Sequence, residues 1–213
     1  MCDIKKINIM INFIEVKMDN SQKYYDATEL DIPRKNVAYF MKNVNPKVGN
    51  AIDLGCGAGN DTVYLIRNGW NVLAIDKEDV ENRILRRLND EEQKRFRFEK
   101  QEFETLKLEK TNILVANFSL SFCNKNKFEE LFEKIKNSIV ENGYFIGNFF
   151  GVNDTWNGIK KDCVFLNKSQ VQELFKEFEI IHFYEVENDE NTALGGMKHW
   201  HIFNVIARKK LSI

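Results

Sequence analysis

"AIDLGCGAGND", Ala51–Asp61, is the stretch on which the fold of this chain turns. Asn50 to Leu54 has the composition of a short buried strand. It runs into glycine at every second position, Gly55, Gly57 and Gly59. Asn60 and Asp61 then open a helix that reaches Asn68 and is closed by Gly69. A glycine-rich turn between a strand and a helix lets a nucleotide-like ligand lie against bare backbone. Acidic residues at both ends of the turn raise the question of which ligand that is.

A dinucleotide fingerprint has the spacing G-x-G-x-x-G. Gly55 and Gly57 fit its first two positions, but Asn60 stands at the third and Gly59 falls one residue early. A diphosphate on the helix N-terminus would be repelled by Asp61 and by Asp53 at the strand end. A ligand with positive charge and no phosphate suits the pair better. S-adenosylmethionine has an ammonium, a sulfonium, a carboxylate and a ribose, and is the expected cofactor.

Outward from the loop, strands and helices alternate. Pro33 to Val44 has helical spacing, with Pro33 suited to a first helical position. "WNVLAID" is a second strand ending at Asp76, and "KEDVENRILRRLND" reads as one helix with Val80, Ile84, Leu85 and Leu88 on one side. "FRFEKQEF" and "NILVANF" read as the third and fourth strands. "KFEELFEKIKNSIV" is an amphipathic helix with Phe128, Leu131, Phe132, Ile135 and Ile139 as its buried stripe. "YFIGNFF" is a fifth strand and "NKSQVQELFKEF" a helix. "EIIHFYEVE" and "HWHIFNVIARK" close the chain as a hairpin around a solvated acidic loop, "EVENDEN". This order predicts a doubly wound, Rossmann-like α/β sheet of about seven strands, mostly parallel, with an antiparallel last strand and helices on both faces.

The 213 residues suffice for one such domain, placed at residues 21–213, with 21–45 as a lid and helical segment. Residues 1–20 read as an N-terminal extension, in which "IMINFIEV" could form a strand. They lack the features of a signal peptide. The 31 basic and 32 acidic residues give a net charge of −1. That balance provides no field for nucleic acid or an anionic membrane, and no apolar run approaches a membrane span. Cys2, Cys56, Cys123 and Cys163 form no C-x-x-C pair, so free thiols in a reducing cytoplasm are expected rather than disulfides or zinc. His199 and His201 form an H-x-H pair without an evident third ligand, so no metal is expected.

"DLGCGAGND" resembles the first motif of class I S-adenosylmethionine-dependent methyltransferases. The resemblance continues through Asp76, "QEFETL" and "VANFSLSFC", from about Tyr24 onward. "GYFIGNFFGVNDTW" and "MKHWHIF" are similar to bacterial small-molecule enzymes in the wider group that includes tellurite-resistance methyltransferases. The residue chemistry agrees. The three glycines admit the methionine and ribose portion, Asp53 supports the ammonium, and Asp76 stands about twenty residues on, where a carboxylate grips ribose hydroxyls. The resemblance implies an adenine contact from Glu102, where the family usually has Asp, with Phe103 beside it. It places Asn117 beneath the methyl group and Phe118 and Leu120 along the adenine or methyl side. Tyr24, Tyr25 and Arg34 match a lid segment, with Arg34 available to the cofactor carboxylate.

On the acceptor side, Phe150, Trp156 and Trp200 are expected to wall a small-molecule pocket. His199 or His201 is the expected proton acceptor. Strand alternation points both histidines one way and Trp200 the other, so all three cannot line one pocket. The expected activity is in-line methyl transfer by a cytoplasmic monomer or homodimer. The alternatives are a non-catalytic module holding S-adenosylmethionine or S-adenosylhomocysteine, and a protein or nucleic-acid methyltransferase. The latter fits less well, since "NFSL" replaces an Asn-Pro-Pro-aromatic motif.

Overall fold

The computed structural model describes residues 21–29 and 32–211. Its helices are α1 (residues 21–28), α2 (Lys35–Asn43), α3 (Asn60–Arg67), α4 (Glu81–Leu85), α5 (Asp90–Gln93), α6 (Phe128–Ser138) and α7 (Lys168–Leu174). Its strands are β1 (Asn50–Leu54), β2 (Asn71–Asp76), β3 (Phe96–Lys100), β4 (Thr111–Ala116), β5 (Ile139–Gly151), β6 (Phe165–Leu166), β7 (Phe178–Asn191) and β8 (Met197–Lys209). They form one sheet in the order β3-β2-β1-β4-β5-β8-β7, with the two-residue β6 paired to the end of β5. β8 runs antiparallel to both of its neighbours, and the other ladders are parallel. This is the expected doubly wound sheet with one reversed strand.

The period-two alternation of the inner strands divides the core in two. Ile52 and Leu54, Leu73 and Ile75, and Leu114 and Ala116 face α6 and α7. Ala51, Val72 and Ala74, and Ile113 and Val115 face α2, α3 and α4. On the first side Phe132, Phe145, Phe149 and Phe175 pack with ring centroids 5.0–6.1 Å apart. On the second, Trp70 and Phe40 are fully buried.

Several local expectations are corrected. The single helix expected over "KEDVENRILRRLND" is two short ones. Asn89 accepts hydrogen bonds from the N–H groups of Glu91 and Glu92 while Glu92 reaches back to the Asn89 N–H, so a capping box starts α5 afresh. Ile84 and Leu88 are buried all the same. The helix before the fifth strand stops at Ser138, and Ile139 pairs with Thr111 as the first residue of β5. The helix expected from Pro33 begins at Lys35, with Arg34 extended at its cap. "EVENDEN" is strand rather than loop: Glu187, Asp189 and Asn191 pair with His201, His199 and Met197. The strand considered over residues 9–16 lies outside the described residues.

Candidate functional site

A cavity of about 1010 Å³ opens at the carboxyl ends of the parallel strands, where open α/β sheets bind their ligands. One end is built by the glycine loop. Gly55, Gly57 and Gly59 have φ of 73°, 55° and 77°, a region that disfavours a side chain. A Cβ on Gly55 would also collide with the Ser119 side chain. Asp53, at the end of β1, is 3 % exposed and accepts from the Thr62 hydroxyl at 2.6 Å. Burial, reinforced by the neighbouring Asp61 carboxylate, pushes its carboxyl up to about 8.

Asp61 does more than its charge suggested. It accepts from the Arg34 backbone N–H at 2.7 Å and from Asn117 Nδ2 at 2.8 Å, tying the lid to the end of β4. Burial raises its carboxyl and these two donors partly offset the rise. Asn117 Oδ1 in turn accepts from Asn36 of α2 at 2.6 Å. Phe118 follows with φ of 52°, strained for an aromatic residue, and its N–H is held by Asn148 Oδ1 at 2.9 Å. Neither Asn36 nor Asn148 was singled out from sequence. The available signal was a single amide inside an otherwise apolar strand, "FIGNFFG", and another on the apolar face of a helix.

Asp76 ends β2 inside the cavity. Its oxygens accept from Gly57 N–H at 2.9 Å, from Glu78 N–H at 3.1 Å and from the Tyr25 hydroxyl at 3.2 Å. Burial and the adjacent Asp76 charge push the Tyr25 phenol well above its usual range. Tyr24 and Tyr25 of α1 and Arg34 line this end, as do Glu102 and Phe103 beyond β3. The Arg34 guanidinium lies 4.7 Å from the Phe118 ring centroid. α1 is clamped from outside: Arg83 reaches Asp26 at 2.6 Å and also pairs with Glu29, and Arg86 reaches Glu29 at 2.6 Å.

The other end is aromatic. Phe118, Phe122, Phe150, Trp156 and Trp200 line it, with Trp156 and Trp200 at 5.5 Å between centroids. Asp154 shapes the loop that presents Trp156, accepting from Trp156 N–H at 2.9 Å and pairing with the Lys198 ammonium. Their side chains are 0 % and 2 % exposed, and the ammonium lies 3.6 Å from the Trp200 centroid.

The pleat separates the histidines from Trp200 as expected, and it is the tryptophan that faces the cavity. A bulge between Ile180 and His182 sets the register that puts Val186 and Asn188 beside Trp200 and Ile202 on the cavity face. His199 lies on the opposite face, exposed, against Asp189 at 2.8 Å and Glu187 at 3.3 Å, which raise its pKa. The His201 ring packs over Gly151, where any side chain would collide with it. Neither histidine lines the cavity, so the proton-accepting role expected of them is not carried forward. Glu185, Glu187 and His201 do bring ligating atoms within 4.8 Å of one another. However, Asn153 N–H donates to His201 Nδ1 at 3.1 Å, so Nε2 carries the proton and donates it to Glu185 at 2.9 Å. In that tautomer the ring's one lone pair is on Nδ1 and already accepts from Asn153 N–H, so Nε2, beside Glu185, has none for a metal.

The doubly wound sheet, with a glycine loop and acidic strand ends at its carboxyl edge, is the fold of the class I methyltransferases. Within that class the chain belongs to the family described as "Tellurite resistance protein TehB", whose model matches residues 14–195. A search of the curated proteins gives no match. Among solved structures, the chain is similar to TehB from Haemophilus influenzae, with 18 % identity, a TM-score of 0.66 and coverage of 84 % of this chain. The chain spans 63 % of the length of that protein. It is also similar to the 1,6-didemethyltoxoflavin-N1-methyltransferase of Burkholderia thailandensis, crystallised with its substrate and S-adenosylhomocysteine. There the identity is 17 %, the TM-score 0.69, and coverage 99 % of this chain and 92 % of the other. The N-methyltransferase NodS from Bradyrhizobium japonicum, in complex with S-adenosylhomocysteine, gives 12 % identity and a TM-score of 0.58 over 81 % of this chain and 83 % of that one.

Proposed function

We propose that this protein transfers the methyl group of S-adenosylmethionine to a small-molecule acceptor. The observation that carries the reading is the continuity of one cavity, from the glycine loop and Asp76 past Asn117 to the wall of Phe150, Trp156 and Trp200. A cofactor with its adenosine at the β2–β3 end would direct its sulfonium toward the Asn117–Phe118 turn. An acceptor against the aromatic wall then meets the methyl carbon from the far side. The acceptor's lone pair forms the new bond to that carbon. The carbon–sulfur pair returns to sulfur, leaving neutral S-adenosylhomocysteine, and a protonated nucleophile sheds its proton to solvent.

The chain's own contribution is alignment and exclusion of water. Asp53 and Arg34 suit the ammonium and the carboxylate of the methionine portion. Asp76 suits the ribose hydroxyls, and Glu102 and Phe103 suit the adenine. The aromatic wall shields the sulfonium with ring faces. The resemblance to a methyltransferase that acts on a flat heterocycle supports an acceptor of that size. The test is formation of S-adenosylhomocysteine across a panel of thiols, amines, carboxylates and selenium or tellurium oxyanions. Tight S-adenosylhomocysteine binding with turnover of a small acceptor is expected, whereas methylation confined to protein or nucleic acid would reject the reading.

A further inference from the structure

Resting on that methyltransferase reading, we propose that the acceptor is a planar conjugated anion, laid against Trp156 and Trp200 with its negative group paired to Lys160. An aromatic box usually suggests a cationic guest, because ring faces attract positive charge. Here the protein supplies those cations itself. The Lys198 ammonium sits 3.6 Å from the Trp200 centroid and 4.4 Å from that of Trp156. It is buried and neutralised by Asp154, so it is part of the wall and not a binding group. The Lys160 ammonium sits 3.6 Å from the Trp156 centroid and 5.2 Å from that of Phe122, on the cavity lining. Among the described residues it has no carboxylate within ion-pair distance, and burial against the rings disfavours its charge.

Lys160 is exposed, so water serves its ammonium until a ligand arrives, and an anion that covers it against the rings replaces that water with a charge-assisted bond. A cationic acceptor in the cavity would meet the Lys160 ammonium already lying over the Trp156 ring. Glu102 and Glu104 line the cavity beyond β3, at the far edge of the sheet from β8. Glu190 of the hairpin, held by Asn188 Nδ2 at 2.8 Å, is the acidic lining group on the β8 side. The five rings bring flat apolar faces, which reward a conjugated ring system over a compact inorganic oxyanion.

The experiment is calorimetry on the full chain saturated with S-adenosylhomocysteine, using four probes: 2-naphthoate, 2-naphthamide, a naphthyl-trimethylammonium salt and selenite. 2-Naphthoate is expected to bind at least tenfold more tightly than each of the others. Lys160→Met is expected to erase its advantage over the amide and Lys160→Arg to retain it, with S-adenosylhomocysteine affinity the same in all three proteins. The proposal is overturned if the amide or selenite matches the naphthoate, if the ammonium salt binds best, if Lys160→Met changes nothing, or if no probe binds the loaded protein. Failure of S-adenosylhomocysteine itself to bind overturns the methyltransferase reading as well, and so separates the two.

Discussion

Asp76 and Asp53 are both carboxylates at strand ends in one cavity, yet their surroundings set them different tasks. Asp76 is surrounded by donors, two of them backbone N–H groups, so its oxygens are fixed in place before any ligand arrives. Asp76→Ala is expected to weaken S-adenosylhomocysteine binding by about 1–3 kcal/mol, through loss of charge-assisted bonds to the ribose. Titration of the folded variant checks this. Burial, with Asp61 beside it, pushes the Asp53 carboxyl up to about 8, and the Thr62 donors only partly offset the rise. A ligand ammonium favours the ionised form. Cofactor binding near pH 7 should therefore release a proton, and affinity should rise from roughly pH 6 to 8. Calorimetry in two buffers of different ionisation heat reads that proton directly; equal apparent enthalpies would show that Asp53 stays as it was. Without ligand the slope reverses. A carboxyl whose folded pKa is raised contributes stability below the ordinary carboxylate range and loses it as pH climbs through about 8.

At the scale of elements, the site depends on how α1 and the β5–β6 loop are held. α1 touches the cavity through Tyr24 and Tyr25 and is clamped to α4 through Arg83 and Arg86. Removing residues 1–17 is expected to leave S-adenosylhomocysteine affinity within about twofold, because the truncation spares α1. Removing residues 1–35 takes away Tyr25 and Arg34 and is expected to cost more than tenfold; equal affinity for both truncations would reject the lid. The loop after β5 is pinned by the buried Lys198–Asp154 pair. Lys198→Met leaves the Asp154 charge buried and unpaired, a loss of about 3–5 kcal/mol in unfolding free energy. Denaturant titration measures it, and a loss below about 1 kcal/mol would mean that water reaches Asp154.

For the whole molecule, ligand and fold are linked through the same strand ends. Saturation with S-adenosylhomocysteine at about one hundred times its Kd should add about 2.7 kcal/mol to stability. For a chain of this size that is a rise in Tm of roughly 5–10 °C. NAD at the same concentration should add nothing, since the acidic Asp61 in the first turn of α3 opposes a diphosphate there. A matching rise with NAD would overturn the charge argument. Among the described residues no helix is long and apolar enough to cross a membrane.

The strand-loop-helix at Ala51–Asp61, the acidic end of β2 and the reversed last strand were all readable in sequence. Each is written in local pattern: glycine spacing, period-two apolar runs and a hairpin. Local pattern also gave the opposed directions of Trp200 and the two histidines, because a strand alternates whatever surrounds it. Which of the two faces met the cavity was not local. It depended on the register of β7 against β8 and on a bulge at Ile180–His182 that no composition announces. The same holds for the Asp61–Asn117–Asn36 chain, whose members are 56 and 81 residues apart, and for the approach of Lys198 to Asp154 across 44 residues. Sequence determined the glycine turn after β1, because a turn of that shape is made by neighbours in the chain. Only the tertiary structure decided the aromatic end of the cavity, because its walls come from the loops after β4 and β5, the end of β5 and the closing hairpin, which meet only once the sheet has closed its order.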